Sequence, residues 1–450
     1  MGAAAAQANR KRGAGKPAAA QANRRRRQTG RGAGKPAARA GTSRKRAATG
    51  RTLMRRLTAL ILTLILIAAA CIAVTGCTAM EEEDRFLVGV IYLDNSRATA
   101  GYTYSHHYGL TKAMIRAGIP EEDLIVEDNV PGTEEDASKA IDRLADAGCD
   151  LIIGTSSEYE SAFVKAADKY PDIMFAHATG SSSNDTNLVN YYGRIYQARY
   201  LAGIAAGYKS LEIENNNIGY VSAWGTGLAE TCADINSFTL GVRSVNPDAT
   251  IYVKVINSWG DSKLERTAAE ELIDSYGCKM ISQDCDSALP QTVAQERGLY
   301  GCGYNSDMSD QAPDAHLTAP VWKWDVYYQF ILETAMNCKP SEFASKAGNY
   351  YGSLADGFVG LAPITENCTP ETEEAIALAA DLIRNGQWDV FTGTALEFSG
   401  EAGSVSVSLI EKPLTAADGT VIVPAGGASV DDETISHTMD YYVEGVVEVG

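Results

Sequence analysis

The sequence predicts an α/β protein of two doubly wound lobes with a central cleft, and three observations predict it. First, short apolar runs follow one another from residue 86 onward: FLVGVIYL, DLIVED, CDLIIGT, DIMFAHA, NNIGYVSA, ATIYVKVIN, KMISQ and GLYGCGY. Runs of that length with few charges read as strands buried on both faces. Second, the stretches between them are long enough for a helix and carry 3.6-residue periodicity, which is what parallel strands need as crossovers. Third, eight such units exceed one small sheet, and the polar bridge LEIENNN (211–217) separates the helix YQARYLAGIAAGYK from the next strand. Gly203 and Gly207, four apart on that helix, are expected to pack it closely on a sheet. From Phe391 the texture changes: FTGTALEFSG, SVSVSLI and DGTVIVPAGG alternate with period two between Gly-rich turns and predict antiparallel strands. The expected division is lobe 1 over 86–214, lobe 2 over 215–317, a return to lobe 1 over 318–365, and a segment completing the lobes over 366–450.

Residues 1–53 contain no acid and repeat two phrases, AAAQANR at 4 and 18 and RGAGKPAA at 12 and 31. Such a basic arm has little to bury and is expected to be disordered. An uncharged run follows at 57–75, preceded by Arg55 and Arg56, with the length of a secretory signal or a membrane span. Its end, Val74, Thr75, Gly76 and Cys77, is similar to the box at which bacterial lipoproteins are cleaved and acylated. That similarity implies a signal peptide over 54–76, lipidation of Cys77, a linker over 77–85 and a cell-membrane location on the extracytoplasmic face. Because Met54 opens a self-sufficient signal, translation is expected to start there.

Residues 1–76 hold 17 of the 39 basic residues and none of the 57 acidic ones, so the remaining 374 residues carry a net charge of −35. Nucleic acid and anionic headgroups are poor partners for such a surface. Of nine cysteines, seven remain after Cys71 and Cys77, with no CxxC and no Cys–His cluster at metal spacing. This argues against both a disulfide framework and a zinc site.

Three constellations invite chemistry. In SAWGTGLAE (222–230), Gly225 and Gly227 fit G-x-G, but Glu230 stands where a dinucleotide fold needs a third glycine. Asp284 and Asp286 would point to the same side of an extended strand end, as a carboxylate pair for hydrolysis would. His106 and His107 are adjacent on a helix, about 100° apart, and cannot chelate one ion together; His106 reads as a structural hydrogen-bonding residue. No cofactor and no metal is expected.

Longer phrases carry a family resemblance: GYTYSHHYGL (101–110), PDIMFAHATG (171–180), YYGRIYQARYLAGIAAG (191–207), FTLGVRSVNPDA (238–249), INSWGDSKLERTAAEELID (256–274), GYNSDMSDQAPDAHLTAPVWKW (303–324) and DYYVEGV (440–446). The chain resembles the basic membrane protein family of substrate-binding lipoproteins. The resemblance implies the type I periplasmic-binding fold, ABC-importer permease subunits as partners, no catalytic residues, and a purine nucleoside or free purine held between the lobes. By position, Tyr102 inherits the role of stacking on the purine and Thr103 that of hydrogen-bonding the base. Trp224 is a candidate second wall or a cap on the lobe edge, and Asp286 a polar cleft residue. Ser156, Trp259 and Asp307 complete the candidate set. Asn305 and Trp322 stand where nucleoside-binding relatives have an Asp and a Lys that grip ribose, which favours a free base; Lys323 is one place displaced. The alternatives are a cleft hydrolase acting on nucleosides or glycosides and a membrane-tethered ligand sensor. A permease and an ATPase in the gene neighbourhood would favour import over sensing.

Overall fold

A computed structural model describes residues 85–450; the basic arm, the apolar run and Cys77 lie outside the described residues. The first half runs β1 (Val88–Ile91), α1 (Tyr102–Ala117), β2 (Leu124–Glu127), α2 (Glu134–Asp146), β3 (Leu151–Gly154), α3 (Glu160–Lys169), β4 (Met174–Ala178), β5 (Leu188–Gly193) and α4 (Ile195–Glu212). Then come β6 (Asn217–Ser222), α5 (Ala229–Val245), β7 (Thr250–Val255), α6 (Ser262–Tyr276), β8 (Met280–Gln283), α7 (Leu289–Glu296) and β9 (Tyr300–Cys302). The remainder is β10 (Pro320–Trp322), α8 (Trp324–Met336), α9 (Pro340–Ala347), β11 (Tyr350–Gly352), β12 (Val359–Leu361), α10 (Thr372–Arg384), β13 (Thr394–Ser399), β14 (Ser406–Glu411), β15 (Leu414–Thr415), β16 (Val421–Val423) and β17 (Val446–Val449).

Local chemistry explains the elements. β1, β3 and β8 are buried at every position, as strands covered on both faces must be. α2 starts at Thr133, whose hydroxyl accepts from the Asp136 amide. Three acids fill its first turn, and Ala137, Ala140, Ile141 and Leu144 form its buried stripe. α6 starts at Asp261, which accepts from the amides of Lys263 and Leu264, and stops at Gly277 in the left-handed conformation (φ 65°).

Two parallel sheets result, in the orders β11-β5-β4-β3-β1-β2 and β17-β7-β6-β8-β9. In each, the first strand in sequence lies between the second and the third. The strand order therefore reverses beside β1 in one sheet and beside β6 in the other, and the loops after β1, β3, β6 and β8 open the crevices where doubly wound sheets bind ligands. The chain passes from the first sheet to the second through α4, returns between β9 and β11, and crosses again before β17. α4 buries 15 of its 18 residues, as an internal helix does. Its two glycines serve a different neighbour from the expected one. A Cβ on Gly203 would lie 2.3 Å from the Phe238 carbonyl oxygen and one on Gly207 2.8 Å from that of Val242, so both hold α4 against α5 and not against a sheet.

All eight apolar runs contain strands. β5 was not among them, because Asn190 and its tyrosines interrupt the apolar pattern. The tail forms antiparallel pairs β13–β14 and β15–β16, but β17 joins β7 in parallel, since its edge position is supplied by a neighbour distant in sequence.

Candidate functional site

The carboxyl ends of the strands of both sheets surround a cavity of about 510 Å³. Tyr102 follows β1, Ser156 follows β3, Thr179 to Ser181 follow β4, and Tyr192 and Tyr351 come from β5 and β11. The other side is made by Glu230 in the first turn of α5, Trp259 after β7, Asp286 after β8 and Tyr304 after β9; Asp432, Glu433, Ser436 and His437 close one end. The volume suits a small organic molecule.

The aromatic wall is backed by a stack of rings. Trp322 lies on Trp324 (4.7 Å, 15° between planes) and Trp324 on His106 (3.8 Å, 19°), while Tyr102 meets His106 edge-on at 4.4 Å. Edge-to-face and offset contacts of this kind fix ring orientation. His106 is fully buried, its Nδ1 lies 2.5 Å from the Tyr328 hydroxyl, and burial holds its pKa well below the usual value, so it is neutral. His107 instead faces the Tyr92 hydroxyl at 3.4 Å, so the two histidines diverge. The Tyr102 hydroxyl is buried without a partner, a polar atom in want of one at the cavity wall. Tyr304 rests on the guanidinium of Arg199, whose central carbon is 3.6 Å from the ring centroid, and its hydroxyl accepts from Trp322 Nε1 at 3.3 Å.

The wall is acidic. Glu230, Asp286, Asp432 and Glu433 contribute to it, and among the described residues no Lys or Arg does. Arg194 pairs with Asp432 at 2.6 Å without entering the wall. The Tyr192 hydroxyl donates to Glu230 Oε1, and burial, followed by the charge of Asp234, pushes the Glu230 carboxyl up to about 8. Burial also raises Asp286 well above the carboxylate range; its Oδ1 accepts from Asn305 Nδ2 at 2.9 Å. The two sides touch where the Gly101 amide donates to Ser306 Oγ at 3.1 Å.

Among the residues expected in the site, Tyr102, Ser156, Trp259 and Asp286 line the cavity. Thr103 is buried inside α1, and Trp224 is half-buried in a loop whose next turn supplies the wall through Leu228 and Glu230. Asn305 stands behind Asp286 with φ 66°, a left-handed position that Asn tolerates. Asp307 is exposed and accepts from the Ser309 amide, and Trp322 is buried behind Tyr192 and Tyr304. Asp284 and Asp286 do not face the same way. β8 ends at Gln283, whose amide donates to the carbonyls of Cys285 and Ser287 and turns the chain, so strand alternation stops before the first carboxyl. Asp284 is buried, accepting from Ser222 Oγ at 2.9 Å and the Ala223 amide at 2.6 Å, while Asp286 alone reaches the cavity. Tyr192, Glu230, Tyr304 and the 432–437 turn were not expected in the site. Tyr192 and Tyr304 stand inside quoted family phrases, and Glu230 was noted only as the misfit in a glycine pattern.

Known proteins agree with this architecture. Residues 81–384 match the family described as ABC transporter substrate-binding protein, PnrA-like. The chain is 36% identical over 262 residues to "Putative ABC transporter glucose-binding protein TsgA13" of Haloferax volcanii, across 58% of this chain and 64% of that protein. It is 33% identical over 368 residues to a purine-binding protein of Brucella abortus, across 82% of this chain and 95% of that protein. A solved solute-binding protein of an ABC transporter system from Aeropyrum pernix K1 shares the fold, with a TM-score of 0.56 at 16% identity, covering 70% of this chain and 94% of the other. Proteins of this kind bind solutes and are not enzymes, and they work outside the cytoplasm; among the described residues no helix is long and apolar enough to cross a membrane. The chain belongs to the PnrA-like family of ABC transporter substrate-binding proteins.

Proposed function

We propose that the chain captures a purine-type ligand, a free base in preference to a nucleoside, in the 510 Å³ cavity and hands it to the permease of an ABC importer, tethered by a lipid on Cys77. The observation that carries this reading is the wall itself: Tyr102, Tyr192, Trp259 and Tyr304 contribute aromatic rings, carboxyl groups offer hydrogen bonds to a base edge, and no cation among the described residues lines it for a phosphate. The purine-binding name of the Brucella relative supports it. Trp322 occupies the position of the ribose-gripping Lys of relatives, and Lys323 is exposed, so no ammonium is placed to meet a sugar diol.

Titration calorimetry on ligand-stripped protein tests the preference. A sugar that meets no charged donor forgoes about 1–3 kcal/mol, so adenine should bind roughly ten to a hundred times more tightly than adenosine. Nucleoside affinity equal to that of the base would overturn the preference, and binding of glucose without any purine would overturn the ligand class. The anchor is tested separately: Cys77→Ala should shift the protein from the membrane fraction to the soluble one or leave the precursor uncut. Wild-type protein that is already free of membranes sinks the anchor reading.

A further inference from the structure

Glu230 stands apart from the other groups of the wall. It sits in the first turn of α5, faces the cavity, and has one oxygen engaged by the Tyr192 hydroxyl. The cation that acts on it, Arg199, is committed to Asp234, with 2.7 Å between Nη2 and Oδ2. Three carboxyl groups, Asp234, Asp284 and Asp286, crowd it through space. Carboxyl groups that share one site disfavour each other's ionisation. A neutral carboxylic acid presents an O–H donor beside a C=O acceptor, and the second lone pair of Oε1 stays available alongside the Tyr192 hydrogen bond. That edge complements a ligand edge with one acceptor and one donor side by side, such as N7 and the N6 amino group of a 6-aminopurine, as the amide of Asn or Gln does. A carboxylate, with acceptors only, complements an edge of two donors, such as N1–H and the 2-amino group of guanine.

We infer that Glu230, facing the cavity with one carboxyl oxygen held by Tyr192, is a specificity-determining residue that reads the donor–acceptor edge of the base. The inference rests on the purine reading above. Its consequence is a proton-dependent affinity. With the carboxyl raised to about 8, the binding form is filled below that pH and is lost as pH rises through it, so adenine affinity should be level from pH 6.5 to 7.5 and fall by roughly tenfold per unit beyond about 8. The phenols facing the carboxyl, Tyr102, Tyr192 and Tyr304, are all pushed well above 10 by burial and stay neutral over this range. Asp432, Glu433 and His437 also face the cavity, with His437 Nδ1 3.6 Å from Glu433.

The test is calorimetry with adenine from pH 6.5 to 9 on the full mature chain, its Glu230→Gln variant and its Glu230→Leu variant. Glutamine keeps the donor and the acceptor but cannot titrate. It should bind adenine at least tenfold more tightly than the leucine variant at pH 7 and show no fall above pH 8. A fall that persists in Glu230→Gln belongs to another group of the wall, such as Asp286, and overturns the inference. So does wild-type affinity that is indifferent to pH or rises with it, or a glutamine variant no better than leucine. Wild-type protein that binds no purine at pH 7 overturns the purine reading and this inference with it, an outcome distinct from purine binding that ignores both pH and residue 230.

Discussion

Replacing Arg199 by Leu is expected to destabilise the ligand-free protein by about 3–5 kcal/mol, the cost of leaving a buried charge without its partner. Arg199 is fully buried on α4. Its Nε donates to Asp234 Oδ2 on α5 at 2.8 Å, its Nη1 donates to the Gln283 carbonyl at the end of β8 at 2.6 Å, and its guanidinium carries the Tyr304 ring. One side chain thus joins two helices, a strand end and the cavity wall. The leucine variant strands the Asp234 carboxyl and the Gln283 carbonyl in a dry interior and removes the support of Tyr304. Urea unfolding should show a midpoint shift of that size without a change of slope, and ligand affinity should fall as well. Adding Asp234→Leu to Arg199→Met should recover most of the stability, because an apolar pair leaves no orphaned charge. A single variant within about 1 kcal/mol of wild type would mean that the ion pair contributes little beyond a surface one.

Gly101→Ala is expected to weaken ligand binding by roughly ten- to a hundredfold. Gly101 has φ 93° and ψ −172°, a conformation that essentially only glycine adopts and that costs other residues about 1–3 kcal/mol. The added methyl group would also lie 2.3 Å from the Asp286 carbonyl oxygen, which reaches it from the other side of the cleft. The loops after β1 and β8 would have to separate, the hydrogen bond from the Gly101 amide to Ser306 would lengthen, and both Tyr102 and Asp286 would leave their places on the wall. Calorimetry gives the affinity, and thermal unfolding with and without ligand separates backbone strain from lost closure: strain lowers both curves, whereas lost closure shrinks the difference between them. Unchanged affinity would remove this contact from the closing of the cleft.

Much of this molecule was legible in its residues. The eight apolar runs are strands because a parallel strand must be apolar on both faces whatever lies beside it, and the antiparallel hairpins of the tail announce themselves by alternation and turn residues. Tyr102 was named from the family resemblance and Ser156, Trp259 and Asp286 as further candidates; all four follow strands and line the cavity, where doubly wound sheets present their crevices. The family phrases carry the class of protein without any geometry.

What only the tertiary structure decided is which side chains share a space. β17 pairs in parallel with β7, nearly 200 residues earlier, and the turn at 432–437 meets loops from both sheets; no local pattern encodes such distances. Whether a carboxyl faces the cavity turned on single residues: the end of β8 at Gln283 sends Asp284 inward and Asp286 outward, where an unbroken strand would have aligned them. Trp322 matches a ligand-gripping position in sequence yet stands one ring behind the wall, because Tyr192 and Tyr304 fill the space in front of it. Propensity and periodicity act over a few residues and fix the elements. Burial, charge crowding and the gap between two surfaces are sums over the whole chain, and they set the protonation of Glu230 and the shape of the cavity.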